Sequence, residues 1–272
     1  MKLCYPITTP DCTIPMMAFS CGSFENHLAA IKECGYDGIE LLIRDPYEAD
    51  YEKIRQMIED AGLKVGAIAT SPMPSEDKIF LASDDPEVRK EAMKRAEEMI
   101  KWCGRFKAPL VIGRFRGNIN PENEENSMEA LTECFRKLNE WCKAYGGTIA
   151  LEVQNKNNVN TFNTAKETVS WINRNSFDRI GLLLDTFHME LTESSFGNAM
   201  KEAEGKLEFV HLSDIRRLVP GAGTISFKEV LALLEMTGYR GWLSVEVKQS
   251  PDSRTVADLT ARYLKYLEAA EV

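Results

Sequence analysis

Four ionisable residues stand out because each is set in aliphatic sequence. Glu152 lies in Ala150-Leu151-Glu152-Val153-Gln154-Asn155, Asp185 in Leu184-Asp185-Thr186-Phe187-His188, His211 in Val210-His211-Leu212-Ser213-Asp214, and Glu246 in Ser244-Val245-Glu246-Val247-Lys248. A lone carboxylate is costly to bury, so residues of this kind need partners. Three carboxylates and an imidazole converging on one place would repel one another unless a cation neutralised them. Three oxygen donors, one nitrogen and no sulfur suit one divalent ion, Mn²⁺ first and then Mg²⁺, Co²⁺, Fe²⁺ or Zn²⁺, better than a closed structural zinc site. The competing expectation is that each residue pairs separately with a Lys or Arg of the scaffold.

The four segments are the last of eight apolar runs, at 16–20, 38–43, 64–70, 110–116, 148–154, 180–186, 209–214 and 242–247. They are rich in Ile, Val and Leu with little alternation, the pattern of strands buried on both faces. Helical patterns fill the intervals. Asp50 precedes a stripe of Ile54, Met57, Ile58 and Ala61 that Gly62 closes. Asp85-Pro86 opens the next helix, with Pro in the first turn, where its missing N–H costs nothing. Thr164-x-x-Glu167 and Ser226-x-x-Glu229 read as capping boxes. Gly35-Tyr36-Asp37-Gly38 and Gly238-Tyr239-Arg240-Gly241 look like one turn used twice, before the second and eighth strands. Eight strand–helix units of about 34 residues predict a (β/α)₈ barrel. No linker or change of composition divides 1–272, so one barrel domain is expected. A doubly wound sheet is the rival, but G-x-G-x-x-G follows none of the strands. In such a barrel the C-terminal strand ends form the mouth, and the four ionisable residues fall there.

Composition narrows the function classes. The 272 residues carry a net charge of −9 without a basic tail, a field that repels nucleic acid. No apolar run is long enough to cross a bilayer. The N-terminus, interrupted by Pro6, Pro10 and Pro15, does not read as a signal peptide, so a cytoplasmic protein with no membrane partner is expected. Seven cysteines, an odd number without a C-x-x-C pair, read as reduced core thiols. Cys21 falls near the mouth, with nothing beside it to make a nucleophile. Trp102, Trp141 and Trp171 lie on helices and suit either a homo-oligomer interface or the core.

The second half of the chain resembles a known family. Val210-His211-Leu212-Ser213-Asp214 running on to Arg217, Pro220-Gly221-Ala222-Gly223 and Ile225-Ser226-Phe227 is similar to the strand-seven signature of the sugar isomerase/epimerase superfamily, which has the xylose isomerase-like barrel. Leu184-Asp185-Thr186-Phe187-His188-Met189 resembles its strand-six motif. Leu243-Ser244-Val245-Glu246 resembles strand eight, and Leu151-Glu152 with Asn163-Thr164 resembles strand five. The likeness is specific over 148–248 and general before that. It implies that Glu152, Asp185, His211 and Glu246 hold the metal. It also implies that Glu152 and Glu246 form an acid–base pair on opposite faces of a sugar, and that His188 and Arg217 touch substrate oxygens. The reaction would be epimerisation or isomerisation of a keto sugar through an enediolate.

One departure bears on the substrate. Free-ketose epimerases of this superfamily carry a Glu six residues beyond the first ligand, where this chain has Asn158. Arg114 and Arg116 at the end of strand four, and Arg44 after strand two, add guanidinium groups whose planar fork suits a carboxylate or phosphate. An acidic or phosphorylated sugar is therefore one expectation; the other is that these arginines turn outward to pair with helix carboxylates. Among rival functions, a keto-inositol dehydratase would use the same carbanion chemistry to expel a hydroxyl. An endonuclease IV-like nuclease would need more histidines than His27, His188 and His211. A non-catalytic sugar-binding protein would tolerate replacement of Glu246.

Overall fold

The computed structural model describes residues 1–20 and 22–270; Cys21 lies outside the described residues. Eight parallel strands close on themselves in chain order. They are β1 (Lys2–Thr8), β2 (Gly38–Leu42), β3 (Lys64–Ala69), β4 (Leu110–Ile112), β5 (Ile149–Glu152), β6 (Ile180–Asp185), β7 (Leu207–Leu212) and β8 (Trp242–Val245). The outer layer is α1 (Phe24–Glu33), α2 (Tyr51–Asp60), α3 (Pro86–Phe106), α4 (Glu124–Tyr145), α5 (Ala165–Arg174), the pair α6 (Thr186–Thr192) and α7 (Phe196–Glu202), α8 (Phe227–Met236) and α9 (Ser253–Ala270). The start signals act as read. Asp50, Asp85, Thr164 and Ser226 each accept a backbone N–H of the first turn of α2, α3, α5 and α8. Glu167 closes the box at α5 by accepting from Phe162 and Asn163.

The first strand corrects the sequence reading. The barrel begins at Lys2–Thr8, which pairs with β2 and, through Lys2–Trp242, Leu3–Leu243 and Cys4–Ser244, with β8. The run 16–20 contributes one isolated bridge, Phe19 to Ile7. Pro6 made the earlier segment look broken. A proline removes only a donor, however, and the Pro6 carbonyl accepts from the Phe19 N–H at 2.8 Å. β4 is also shorter than its apolar run. After Gly113 the chain turns into a single 3₁₀ turn over Arg114–Arg116. A Cβ at Gly113 would overlap the Glu152 carboxylate, so the absence of a side chain lets the chain leave the barrel across that residue.

Two cores follow from strand alternation. Outward residues such as Tyr5, Ile39, Leu151, Leu184 and Val210 pack against the helices. Cys4, Ala67, Ala69, Val111, Ala150, Leu183 and Phe209 form a second, smaller core inside the barrel. Ala150 precedes Glu152 by two positions, Leu183 precedes Asp185, and Phe209 precedes His211, so the two-residue period carries all three polar side chains to the inside of the mouth. Trp102 and Trp171 belong to the outer core, in contact with Tyr51 and with Phe135, Phe162 and Phe177 respectively, and Trp141 packs against it half-buried. The six described cysteines are free thiols, five of them buried.

Candidate metal centre and active site

At the mouth, one donor atom from each of Glu152, Asp185, His211 and Glu246 lies within 4.8 Å of all the others. His211 Nδ1 stands 3.7 Å from Glu152 Oε1, 3.7 Å from Asp185 Oδ2 and 3.5 Å from Glu246 Oε2. Donors bound at about 2.1 Å to one small divalent ion stand roughly 3–4 Å apart, so the spacing fits a shared cation. The hydrogen bonds argue the same way. Glu152 Oε1 and His211 Nδ1 are buried without a hydrogen-bond partner, an arrangement that a protein core otherwise avoids. Of the pairings considered as the alternative, Asp185 and Glu246 share one arginine, Arg217, and among the described residues Glu152 and His211 have no Lys or Arg partner.

Around the four stand groups that balance and orient them. Arg217 donates to Asp185, lies 2.9 Å from Glu246 Oε2 and 3.0 Å from His188 Nε2, and has its guanidinium over the Phe187 ring. Burial opposes ionisation of Asp185 and Glu246, but Arg217 and His211, joined at Asp185 by His188, together outweigh it and hold both carboxyls below their usual range. Burial likewise opposes a charged His211, yet Glu40 and Glu246 raise its pKa well above that of a free imidazole. His188 sits between Arg217 and Asn155, whose amide is 2.7 Å from Nδ1; burial lowers its pKa and favours the neutral ring. Gln154 Nε2 donates to Glu152 Oε2 at 2.5 Å.

Arg217 reaches the centre on strained backbone. Arg216 and Arg217 have φ of 59° and 62°, left-handed values that cost on the order of 1–3 kcal/mol for each non-glycine residue. Asp214 offsets this. Its buried carboxylate accepts the N–H groups of Ile215, Gly221, Gly223, Thr224 and Ile225 at 2.8–3.2 Å and winds the loop after β7 into one shape. Gly223 is required at that loop because a Cβ there would overlap the Asp214 carboxylate.

Two of the arginines read as anion binders are engaged elsewhere. Arg116 is fully buried and donates to the backbone carbonyls of Gly113, Glu152 and Thr161 at 2.9–3.0 Å, beside the Phe162 ring. Burial lowers its pKa to about 10. Its guanidinium braces β4, β5 and the following loop behind the site and does not open onto the mouth. Arg116→Met is therefore expected to destabilise the fold by about 3 kcal/mol or more, because three buried carbonyls lose a charged donor; chemical denaturation measures this. Arg44 pairs with Asp77 and Glu76 in a network that also holds Arg95 and Asp45. Arg114 differs. It is exposed and, among the described residues, has no side-chain hydrogen bond or ion pair. It lines a cavity of about 440 Å³ with Ser83, Asn118, Asn120 and Asn158.

Glu40 was missed by the sequence reading. It is a carboxylate in aliphatic sequence, Gly38-Ile39-Glu40-Leu41-Leu42, the same anomaly that marked the other four. It lies in the middle of β2, however, and only strand ends were considered.

Residues 28–267 match the family described as a xylose isomerase-like TIM barrel. An L-ribulose 3-epimerase of Mesorhizobium japonicum is 30% identical over 223 residues, covering 82% of this chain and 74% of its own. An inosose isomerase of Halalkalibacterium halodurans is 26% identical over 269 residues, covering 91% and 88%. In three dimensions a D-psicose 3-epimerase from Clostridium cellulolyticum H10, solved with D-tagatose, superposes with a TM-score of 0.80 at 20% identity over 99% of both chains. The curated relatives are thus sugar epimerases and isomerases, and the likeness in space is one of fold. By the extent of the family match and by the first of these relatives, the chain belongs to the xylose isomerase-like TIM-barrel family.

Proposed function

We propose that this enzyme epimerises or isomerises a keto sugar by metal-dependent proton transfer, with Glu152 and Glu246 as the acid–base pair. The observation that carries this reading is the convergence of one donor atom each from Glu152, Asp185, His211 and Glu246 to within 4.8 Å of one another, with Glu152 Oε1 and His211 Nδ1 buried and without a hydrogen-bond partner. A divalent cation held there, Mn²⁺ by donor type, would supply positive charge next to the carbonyl and hydroxyl oxygens of a keto sugar, which acidifies the adjacent C–H.

The chain's own residues do the rest. Arg217 and His188, already in mutual contact above Phe187, meet sugar oxygens and fix the reacting carbon between the two glutamates. Glu152 and Glu246 come from strands three places apart around the barrel, so they reach that carbon from different sides. One carboxylate removes the proton and the other returns one from the opposite face, which inverts the centre. Return at the neighbouring carbon interchanges aldose and ketose instead. Gln154 holds Glu152 in orientation through its Oε2. Arg114, the one guanidinium of the three without a partner among the described residues, would take an acidic or phosphate substituent.

The test is turnover of a panel of neutral ketoses and ketose phosphates in D₂O with Mn²⁺. One solvent deuteron at the product carbon, without loss of water, is expected. A new enone absorbance would replace this reading with the dehydratase, and absence of exchange on every sugar would remove it. Faster turnover of phosphates supports the role given to Arg114; a preference for neutral ketoses removes that role alone.

A further inference from the structure

A fourth carboxylate lies buried behind the His211 ring, on the side away from Nδ1. Glu40, on β2, is 2% exposed, and its two oxygens each lie 3.1 Å from Nε2 of His211 on β7. Ser244 on β8 donates its hydroxyl to Glu40 Oε2 at 2.6 Å. Among the described residues, His211 and Ser244 are the side chains that hydrogen-bond the Glu40 carboxylate. An imidazole has two nitrogens, and the hydrogen bond made by one decides what the other can do. A carboxylate only accepts, so the nitrogen facing Glu40 must carry the proton. With a cation between Glu152, Asp185 and Glu246, His211 Nδ1, which has no hydrogen-bond partner, would be the nitrogen whose lone pair faces it.

We propose that Glu40 is a positioning residue for the metal centre: it fixes the tautomer and the ring orientation of His211 so that Nδ1 faces the cation, and Ser244 fixes Glu40 in turn. This rests on the reading of the four donors as a metal site. Glu40 touches neither substrate nor metal; it acts through His211. Partners of this kind typically govern metal affinity by 10–100-fold.

The experiment compares Mn²⁺ binding by calorimetry in the wild-type protein, Glu40→Leu, Glu40→Gln and a control, Glu208→Gln. Glu208 is half-buried at the opposite end of β7 and is held by Thr148. Glu40→Leu fills the same space but leaves Nε2–H without an acceptor, so its Mn²⁺ dissociation constant is expected to rise about 10–100-fold. Glu40→Gln keeps an acceptor without the charge and should recover part of that loss. The control should bind as the wild type does. A folded Glu40→Leu with wild-type Mn²⁺ affinity overturns the proposal, whatever happens to its melting temperature. Should that variant fail to fold, the wild-type protein loaded with diamagnetic Zn²⁺ decides. With three histidines in the chain, ¹⁵N–¹H correlation spectra assign the ring, and a proton on Nδ1 with Nε2 metal-bound overturns the proposal. If the wild-type protein, with Glu40 intact, binds neither Mn²⁺ nor Zn²⁺, the metal reading itself fails, and this outcome is distinct from the others.

Discussion

Glu246→Gln is expected to lower kcat for a keto sugar by about a thousandfold at saturating Mn²⁺, with an unchanged circular dichroism spectrum. The size follows from the role. A positioned acid or base contributes on the order of 10²–10⁴ to a proton transfer, and the amide can neither take nor give that proton. Gln keeps the shape and one oxygen donor, so the fold and part of the cation affinity survive. Saturating metal then separates lost binding from lost chemistry. Glu152→Gln should fall as far. The pair should also split an exchange experiment in D₂O. With the proton-removing carboxylate replaced, washout from the substrate stops. With the other replaced, exchange continues while the inverted product disappears. Which residue does which is read from that split. A Glu246→Gln variant that keeps more than a tenth of wild-type kcat would end the assignment of Glu246 as acid or base.

Removing the metal should have the second large effect, in two readouts. Dialysis against a chelator is expected to abolish turnover, and Mn²⁺ to restore it. It should also lower the melting temperature. A ligand at a hundred times its dissociation constant stabilises the folded state by about 2.7 kcal/mol, which for a chain of this size is roughly 5–10 °C. The loss has a local cause. Without a cation, Glu152, Asp185, Glu246 and Glu40 share a small buried volume, faced by Arg217 and by the rings of His211 and His188. A melting temperature indifferent to chelator and to every divalent ion tested would contradict the centre as read, independently of any substrate.

Much of this was legible in residue order because buried charge is an energetic anomaly. A carboxylate or imidazole inside an aliphatic strand cannot be explained by that strand alone, and four of them, spaced one per strand–helix unit, required a common partner. The same logic would have found Glu40, since nothing in Gly38-Ile39-Glu40-Leu41-Leu42 answers its charge, had the middle of the strand been weighed with the ends. β1 was harder. Pro6 looked like a break, and the fact that its carbonyl remains available to Phe19 emerges only when the neighbouring segment is in place.

The arginines mark the other limit. Arg44, Arg114 and Arg116 are alike in sequence, each at or just beyond the end of an apolar run, yet one joins an ion network, one lines a surface cavity and one braces three buried carbonyls. A long flexible side chain takes the partner that space offers, and partners from distant segments have no local signature. Periodicity and the cost of burying charge are properties of short stretches, so the order of residues alone was enough for seven of the eight strands and for the expectation of a shared cation. The contacts across the barrel, Glu40 to His211 and Arg217 to Asp185, exist only once eight strands have closed, because they join residues 171 and 32 positions apart whose meeting depends on the register of the whole sheet.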